Sequence, residues 1–277
     1  MTILDQIVAN KRAAVAEHKE LYPAKLLEKS LYFSSPTVSL TKYLTRPDKS
    51  GIIAEIKRAS PSKGIINKHV SIERTSIGYM QAGASALSVL TEEKFFHGKN
   101  DDLKAARKFN YCPILRKDFT IDEYQIIEAK SIGADAILLI AAILTPDEIK
   151  RFAGLAQSLS LEVLLEVHNG EELARSLCDA VNVVGVNNRN LHDFSVSLET
   201  SLGLAHDIPS RFVKISESGI TQAKDVHLLK SAGFQGFLIG EQFMRHSRPE
   251  DACAQFIREI RTYTSTVKAL GFAELPS

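Results

Sequence analysis

The sequence predicts an α/β protein, a closed (β/α)8 TIM barrel with a helical N-terminal extension, and three observations carry that prediction. Short runs rich in Ile, Val and Leu alternate with helical patterns from Gly51 onward. Strands that are apolar on both faces belong to a parallel sheet covered by helices. One joint then recurs three times: Gln81-Ala-Gly-Ala-Ser-Ala-Leu-Ser-Val-Leu, Ser131-Ile-Gly-Ala-Asp-Ala-Ile-Leu-Leu-Ile and Ser231-Ala-Gly-Phe-Gln-Gly-Phe-Leu-Ile-Gly. In each, a helix ends at a glycine (Gly83, Gly133, Gly233) suited to a left-handed C-cap, and a strand begins three residues later. The glycines are 50 and 100 residues apart, which suits strand–helix units of about 25 residues, and that period sustained over roughly 200 residues gives the eight units of such a barrel. Finally, seven of the apolar runs end in charged or amide residues, which a parallel barrel gathers at one mouth.

Taken in order, the elements support one domain over residues 1–277, with 1–50 as the extension. Ile3–Glu20 carries Ile3, Leu4, Ile7, Val8 and Val15 among charges, which marks an amphipathic helix and not a signal peptide. A second helix runs roughly over Ser39–Thr45. Together they could cap the barrel bottom or cover its mouth. The expected strands are Ile52–Lys57, Ala86–Leu90, Ile114–Lys117, Ala136–Ile140, Val163–Val167, Val183–Asn187, Phe212–Ser216 and Phe237–Ile239. Helix starts are signalled by Ser71, by Thr145 with Pro146 and Glu148, by Thr221, and by Ser247 shortly before Pro249. A doubly wound open sheet is the alternative, but no GxGxxG or GxxxxGK[ST] follows any strand.

Composition narrows the function classes. A formal net charge of +1, with 44% hydrophobic and 24% charged residues, gives no whole-protein reason to expect nucleic acid or membrane as partner. No stretch approaches the ~20 apolar residues of a membrane span. Cys112, Cys178 and Cys253 are odd in number and widely spaced, and they read as small buried hydrophobes in a reducing cytoplasm. No histidine pair has metal-ligand spacing, so no metal is expected; His97, His168 and His192 fall in expected loops with surface or supporting roles.

Strand alternation sorts the candidate site residues. Gly51, Ile53, Glu55 and Lys57 share one face while Ile52, Ala54 and Ile56 share the other; the purely apolar face packs on helices, so Glu55 and Lys57 point inward. By the same argument Leu115 and Lys117, Leu164 and Glu166, and Val183, Gly185, Asn187 and Arg189 face the interior. Any one inward charge could be a structural ion pair. Several together are harder to explain so, because desolvating each costs several kcal/mol. Such a set suits acid–base chemistry: crowded lysines lose proton affinity and desolvated carboxylates gain it. Arg189 is a fork for a carboxylate. Ser216-Glu-Ser-Gly-Ile-Thr and Ile239-Gly-Glu, after the last two strands, provide backbone where barrels often hold phosphate, and Ser60-Pro-Ser-Lys-Gly adds hydroxyls and a lysine. Phe95-Phe96 could pack on an aromatic substrate or anchor a loop. Thr91-Glu92 starts a substrate-covering loop.

These residues fall into motifs: Ile53-Ala-Glu-Ile-Lys-Arg-Ala-Ser-Pro-Ser-Lys-Gly, Ser88-Val-Leu-Thr-Glu with Phe96-His-Gly, Leu115-Arg-Lys-Asp-Phe, Leu165-Glu-Val-His, Gly185-Val-Asn-Asn-Arg-Asn-Leu, Ser216-Glu-Ser-Gly-Ile and Leu238-Ile-Gly-Glu. In that order, over nearly the whole chain, they resemble the indole-3-glycerol phosphate synthases of tryptophan biosynthesis. The resemblance implies ring closure, decarboxylation and dehydration of 1-(2-carboxyphenylamino)-1-deoxyribulose 5-phosphate, with no cofactor. It implies a catalytic set of Glu55, Lys57, Lys117, Glu166, Asn187 and Ser218, with Lys117 as principal acid. Arg189, Glu217 and Phe96 would bind substrate, Arg189 meeting the anthranilate carboxylate with Lys57. Ser60, Gly219, Gly240 and Glu241 would bind phosphate, with Ser218 also at a phosphate-site position. Some relatives have serine where Glu241 stands, so only its backbone is assigned. The implied protein is a cytoplasmic monomer. The rivals are another phosphate-binding barrel enzyme, such as phosphoribosylanthranilate isomerase or the tryptophan synthase α chain, and a barrel that binds a phosphorylated ligand without turnover. The former is disfavoured by the Glu-Ile-Lys and Arg-Lys-Asp-Phe motifs, the latter by the acid–base cluster.

Overall fold

The computed structural model describes residues 2–190 and 193–269; the loop histidine His192 lies outside them. Three helices come first, α1 (Ile3–Leu21), α2 (Ala24–Leu27) and α3 (Leu40–Thr45), then strand β1 (Ile52–Ile56) and a hairpin of β2 (Ala59–Ser60) and β3 (Gly64–Ile65). There follow α4 (Ile72–Ala82), β4 (Ala86–Leu90), α5 (Asn100–Phe109), β5 (Ile114–Lys117), α6 (Glu123–Ser131), β6 (Ala136–Ile140), α7 (Pro146–Ser158) and β7 (Glu162–Val167). The chain continues through α8 (Gly170–Ser176), β8 (Val183–Asn187), α9 (Glu199–Leu204), β9 (Val213–Glu217), α10 (Ala223–Ser231), β10 (Gly236–Ile239), α11 (Glu241–Met244) and α12 (Pro249–Ala269). Eight strands close in the order β1-β10-β9-β8-β7-β6-β5-β4, every pair parallel. This is the expected (β/α)8 barrel. No helix among the described residues is long and apolar enough to cross a membrane.

Local chemistry explains the joints. Gly83, Gly133 and Gly233 all take left-handed backbone, with φ of 100°, 92° and 88°, a region that other residues enter at a steric cost. Ser71 caps α4, and Thr145 with Glu148 forms a reciprocal capping box on α7. Several expected boundaries move by one residue, two of them for a local reason. The α10 cap is Gln222, not Thr221, because the Asp225 carboxylate reaches back to the N–H groups of both residues. Strand β9 starts at Val213 because the Phe212 N–H closes a turn onto Pro209 O.

Alternation divides the core in two. Ile52, Ala54, Ile56, Val163, Leu165 and Val167 pack outward against the helices. Ile53, Leu115, Leu164, Val183 and Ile215 fill the barrel interior. The extension serves both ends. Leu40 and Leu44 of α3 join the interior cluster from the bottom. There α3 is tied to Glu162, at the start of β7, by Ser39 Oγ at 2.6 Å and Thr41 N at 2.8 Å. Helix α1 instead lies at the mouth, where Ile3, Leu4 and Ile7 line the cavity and Lys11 pairs with Asp118 at 2.7 Å.

Leu44→Ala is expected to destabilise the fold by about 2–5 kcal/mol while sparing the residues at the mouth. Urea denaturation alongside an activity assay checks this; unchanged stability would refute the packing of α3 into the barrel bottom.

Candidate active site

One layer of side chains crosses the barrel at its C-terminal end. Glu55, Lys117, Glu166 and Glu217 come from β1, β5, β7 and β9, alternate strands of the barrel. Alternate strands contribute side chains to a common level. Two residues earlier on each strand stand Ile53, Leu115, Leu164 and Ile215, all in the interior cluster. The polar layer therefore rests directly on a dry apolar floor.

Within it, Lys117 Nζ donates to Glu166 Oε2 at 2.7 Å and to Glu217 Oε2 at 2.6 Å. Lys57 Nζ, just beyond β1, lies 2.8 Å from Glu55 Oε1, while Ser88 Oγ donates to Glu55 Oε2 at 3.3 Å. Asn187 Nδ2 donates to Glu166 Oε1 at 3.1 Å, and its own Oδ1 accepts from Arg189 N at 3.0 Å. Glycines make the room: a Cβ on Gly185 would lie 2.4 Å from Glu217 Oε1, and one on Gly240 would lie 2.5 Å from Glu55 Oε1.

The electrostatics separate these groups. Burial favours a neutral Lys117, but Glu166, Glu217 and Glu55 outweigh it and hold the ammonium well above the usual lysine range. The expectation that crowded lysines lose proton affinity fails for Lys117, which is paired with two carboxylates and not with another lysine. Burial also raises Glu166, yet Lys117 and then His168 pull it down to about 2. Glu217 goes the other way: burial, with Glu166 beside it, pushes it up to about 7 against the pull of Lys117. Its Oε1 is buried without a hydrogen-bond partner. Two carboxylates around one ammonium thus have separated proton affinities, the pattern of an acid–base site.

Above the layer is a cavity of about 460 Å³, within the size range of small-molecule sites. It collects every candidate residue: Glu55, Lys57, Ser60, Phe96, Lys117, Glu166, Asn187, Arg189, Glu217, Ser218, Gly219, Gly240 and Glu241 all line it. One wall is apolar, made by Phe96 and Phe119 (ring centroids 6.0 Å apart), Leu138, Ile140 and α1. Phe96 is placed there by Glu92, whose carboxylate accepts from the N–H groups of Lys94, Phe95 and Phe96. Glu92 thus shapes the loop expected to start at this strand end.

The opposite rim is backbone-rich. Ser218 and Gly219 take successive left-handed conformations, φ 68° and 79°, which turn the backbone sharply just beyond β9. Gly240 caps the short α11, which starts at Glu241. The Glu241 carboxylate does not leave the cavity rim: it lies 3.6 Å from Lys63 Nζ and 3.6 Å from Arg189.

Sequence reasoning missed Phe119 and the inward Leu138 and Ile140. Strand alternation, carried through β6 and two residues past Lys117, contained that signal. It also left open which end of the barrel α1 covers.

Glu217→Gln is expected to flatten one part of the stability–pH curve. A carboxyl raised to about 7 in the folded state, against about 4.3 unfolded, stabilises fully below the unfolded value. That contribution fades as pH rises through 7. Denaturation of both proteins between pH 4.5 and 8 checks it: the wild type should lose stability relative to the variant up to about pH 7, and parallel curves would refute it.

Comparison with known proteins adds independent findings. A family model described as indole-3-glycerol phosphate synthase matches residues 4–259. A protein of that name from Bacteroides thetaiotaomicron is 45% identical over 259 residues, covering 94% of this chain and 99% of its own. Another, from Caldanaerobacter subterraneus subsp. tengcongensis, is 42% identical over 261 residues, covering 94% and 99%. Among solved structures, a mutant tryptophan synthase α-subunit from Pyrococcus furiosus superposes with a TM-score of 0.58 at 14% identity, covering 78% of this chain and 99% of that one. A chain described as native KDPGal gives a TM-score of 0.56 at 14% identity, covering 81% and 97%. At that identity the structural likeness is one of fold alone.

Proposed function

The chain belongs to the indole-3-glycerol phosphate synthase family, and on that premise we propose how its barrel mouth carries out the family's reaction. It is a decarboxylating lyase of tryptophan biosynthesis. It converts 1-(2-carboxyphenylamino)-1-deoxyribulose 5-phosphate to indole-3-glycerol phosphate, CO2 and water. The observation that carries the assignment of roles is the Lys117 ammonium, held between Glu166 and Glu217 and facing the same cavity as the Glu55–Lys57 pair.

The substrate's aromatic ring packs against Phe96, Phe119 and the apolar residues of α1, leaving its carboxylate to Arg189 and Lys57. Its phosphate sits on Ser60 Oγ and the backbone N–H groups around Gly219, Gly240 and Glu241. Between them the ribulose carbonyl reaches the polar layer. Lys117 protonates the carbonyl oxygen as the ring carbon attacks, and its two carboxylates disperse the changing charge. Loss of CO2 returns the electron pair to the ring system. Dehydration then needs a proton removed and a hydroxyl protonated, a task for Glu55, Lys57 and Glu166, with Asn187 fixing the Glu166 carboxylate. Ser218 holds the turn that carries the phosphate backbone and reaches the reacting end. No cofactor enters this scheme.

Glu241 fits this reading through its charge partners. Its contacts with Lys63 and Arg189 are long, at 3.6 Å each, and the exposed pair with Lys63 is weak, about 0–1 kcal/mol. A phosphate dianion would displace the side chain while using the backbone beneath it. We further place the enzyme in the cytoplasm as a monomer, with no nucleic-acid partner.

Lys117→Met is expected to lower kcat by roughly 100-fold or more while inorganic phosphate still binds; near wild-type kcat would refute its role. Arg189→Ala is expected to raise KM roughly tenfold or more, the loss of a charged hydrogen bond, and an unchanged KM would count against the carboxylate contact. Both are read from indole fluorescence, to which a chain without tryptophan contributes no background of its own kind.

A further inference from the structure

His168 follows β7 directly, one position beyond Val167 and two beyond Glu166, and its side chain is largely buried. The ring is fixed on one side. Its Nδ1 lies 3.2 Å from Glu172 Oε2, and the same carboxylate oxygen accepts from the His168 backbone N–H at 2.8 Å. Glu172 is in turn held by Asn169, whose Nδ2 donates to Oε1 at 3.2 Å. On the other side Nε2 is buried, makes no hydrogen bond, and faces Glu166 Oε1 at 3.5 Å. That is the oxygen to which Asn187 donates; the other Glu166 oxygen is bound by Lys117.

We propose that His168, anchored by Glu172, is a positioning residue that keeps the Glu166 carboxylate anionic and turned toward Lys117; this deepens the catalytic reading above and rests on it. The tautomer makes the role depend on protonation. With Nδ1–H committed to Glu172, a neutral ring presents a lone pair at Nε2 to the Glu166 oxygen, and the contact becomes repulsive. Protonated, the ring presents N–H at both nitrogens and spans the two carboxylates. Burial works against that charge, but Glu172 and then Glu166 outweigh it and raise the ring above the ordinary histidine value. The ionisable groups around it are Glu166 on β7, Glu217 on β9, and Glu172 and Arg175 on α8. Across the adjoining cavity stand Asp5 of α1 and Arg189.

The test combines a titration with kinetics. Ring nitrogen shifts of His168, followed by NMR in the substrate-free protein, should show a raised pKa that falls in Glu166→Gln and in Glu172→Gln. In turnover, His168→Gln should lower kcat roughly 10- to 100-fold, as mispositioned catalytic groups do, with KM little changed and the alkaline limb of the kcat profile lost. Glu172→Gln should move that limb to lower pH. His168→Asn serves if the Gln variant does not fold. A His168 titration indifferent to Glu166, or wild-type kcat and pH profile in both His168 variants, would overturn the proposal. If the wild type produced no indole-3-glycerol phosphate at all, the functional reading would fall, while the titration would still decide whether His168 and Glu166 interact.

Discussion

Three charges share one hydrogen-bonded centre in this barrel: the Lys117 ammonium and the carboxylates of Glu166 and Glu217. Removing each from water costs several kcal/mol, and a structure that needed only stability would put aliphatic residues there. The two glycines beside the layer, Gly185 and Gly240, leave volume that the carboxylates of Glu217 and Glu55 occupy. The barrel thus gives up packing at this level to hold acids and bases. The apolar level immediately below, Ile53, Leu115, Leu164 and Ile215, keeps the cost local by sealing the floor.

The same lysine is stiffened by what lies on either side of it in sequence. Arg116 points outward from β5 and is buried against Glu128, Thr91 and the Gln125 carbonyl. Asp118 accepts from Thr91 Oγ1 at 2.6 Å and pairs with Lys11 of α1. Farther along α1, His18 reaches Glu128, and the Tyr124 hydroxyl donates to the His18 and Tyr22 carbonyls. One strand end therefore carries the central lysine inward and fastens the covering helix outward. This couples the apolar lid of Ile3, Leu4 and Ile7 to the position of Lys117, so a shift of α1 would be felt at the chemistry.

Much of this is legible in the sequence, for reasons that differ by residue. The inward direction of Glu55, Lys57, Lys117 and Glu166 follows from two-residue alternation in strands whose other face is wholly apolar, and that rule is robust because burial of the wrong face is so costly. Gly83, Gly133 and Gly233 mark turns because only a residue without Cβ takes that backbone cheaply. The proton affinities were not legible. Whether Lys117 loses or keeps its proton depends on which strands are neighbours at one level, and barrel closure alone decides that its nearest charges are carboxylates and not Lys57. The Lys11–Asp118 pair, which puts α1 at the mouth, spans more than a hundred residues of chain, and nothing local to either residue announces it. Ser218 is a similar case: its left-handed backbone is set by the turn it shares with Gly219, not by its own preference.

The distribution of charge orients the substrate before any bond changes. In the deep layer and at the end of β1, three carboxylates face two ammonium groups, so an anion gains nothing by passing below Lys57. At the rim, Arg189 and Lys63 outnumber Glu241, and their contacts with it are loose. A substrate with an anionic group at each end is therefore drawn to the rim by both ends, and its neutral, carbonyl-bearing middle is the part that the acids and bases accept. The raised affinity of Glu217 for a proton reinforces this separation, because protonating it removes the layer's excess negative charge. Desolvating a neutral segment costs far less than desolvating an anion, so the division of charge between rim and layer selects the reacting atoms as well as the molecule that carries them.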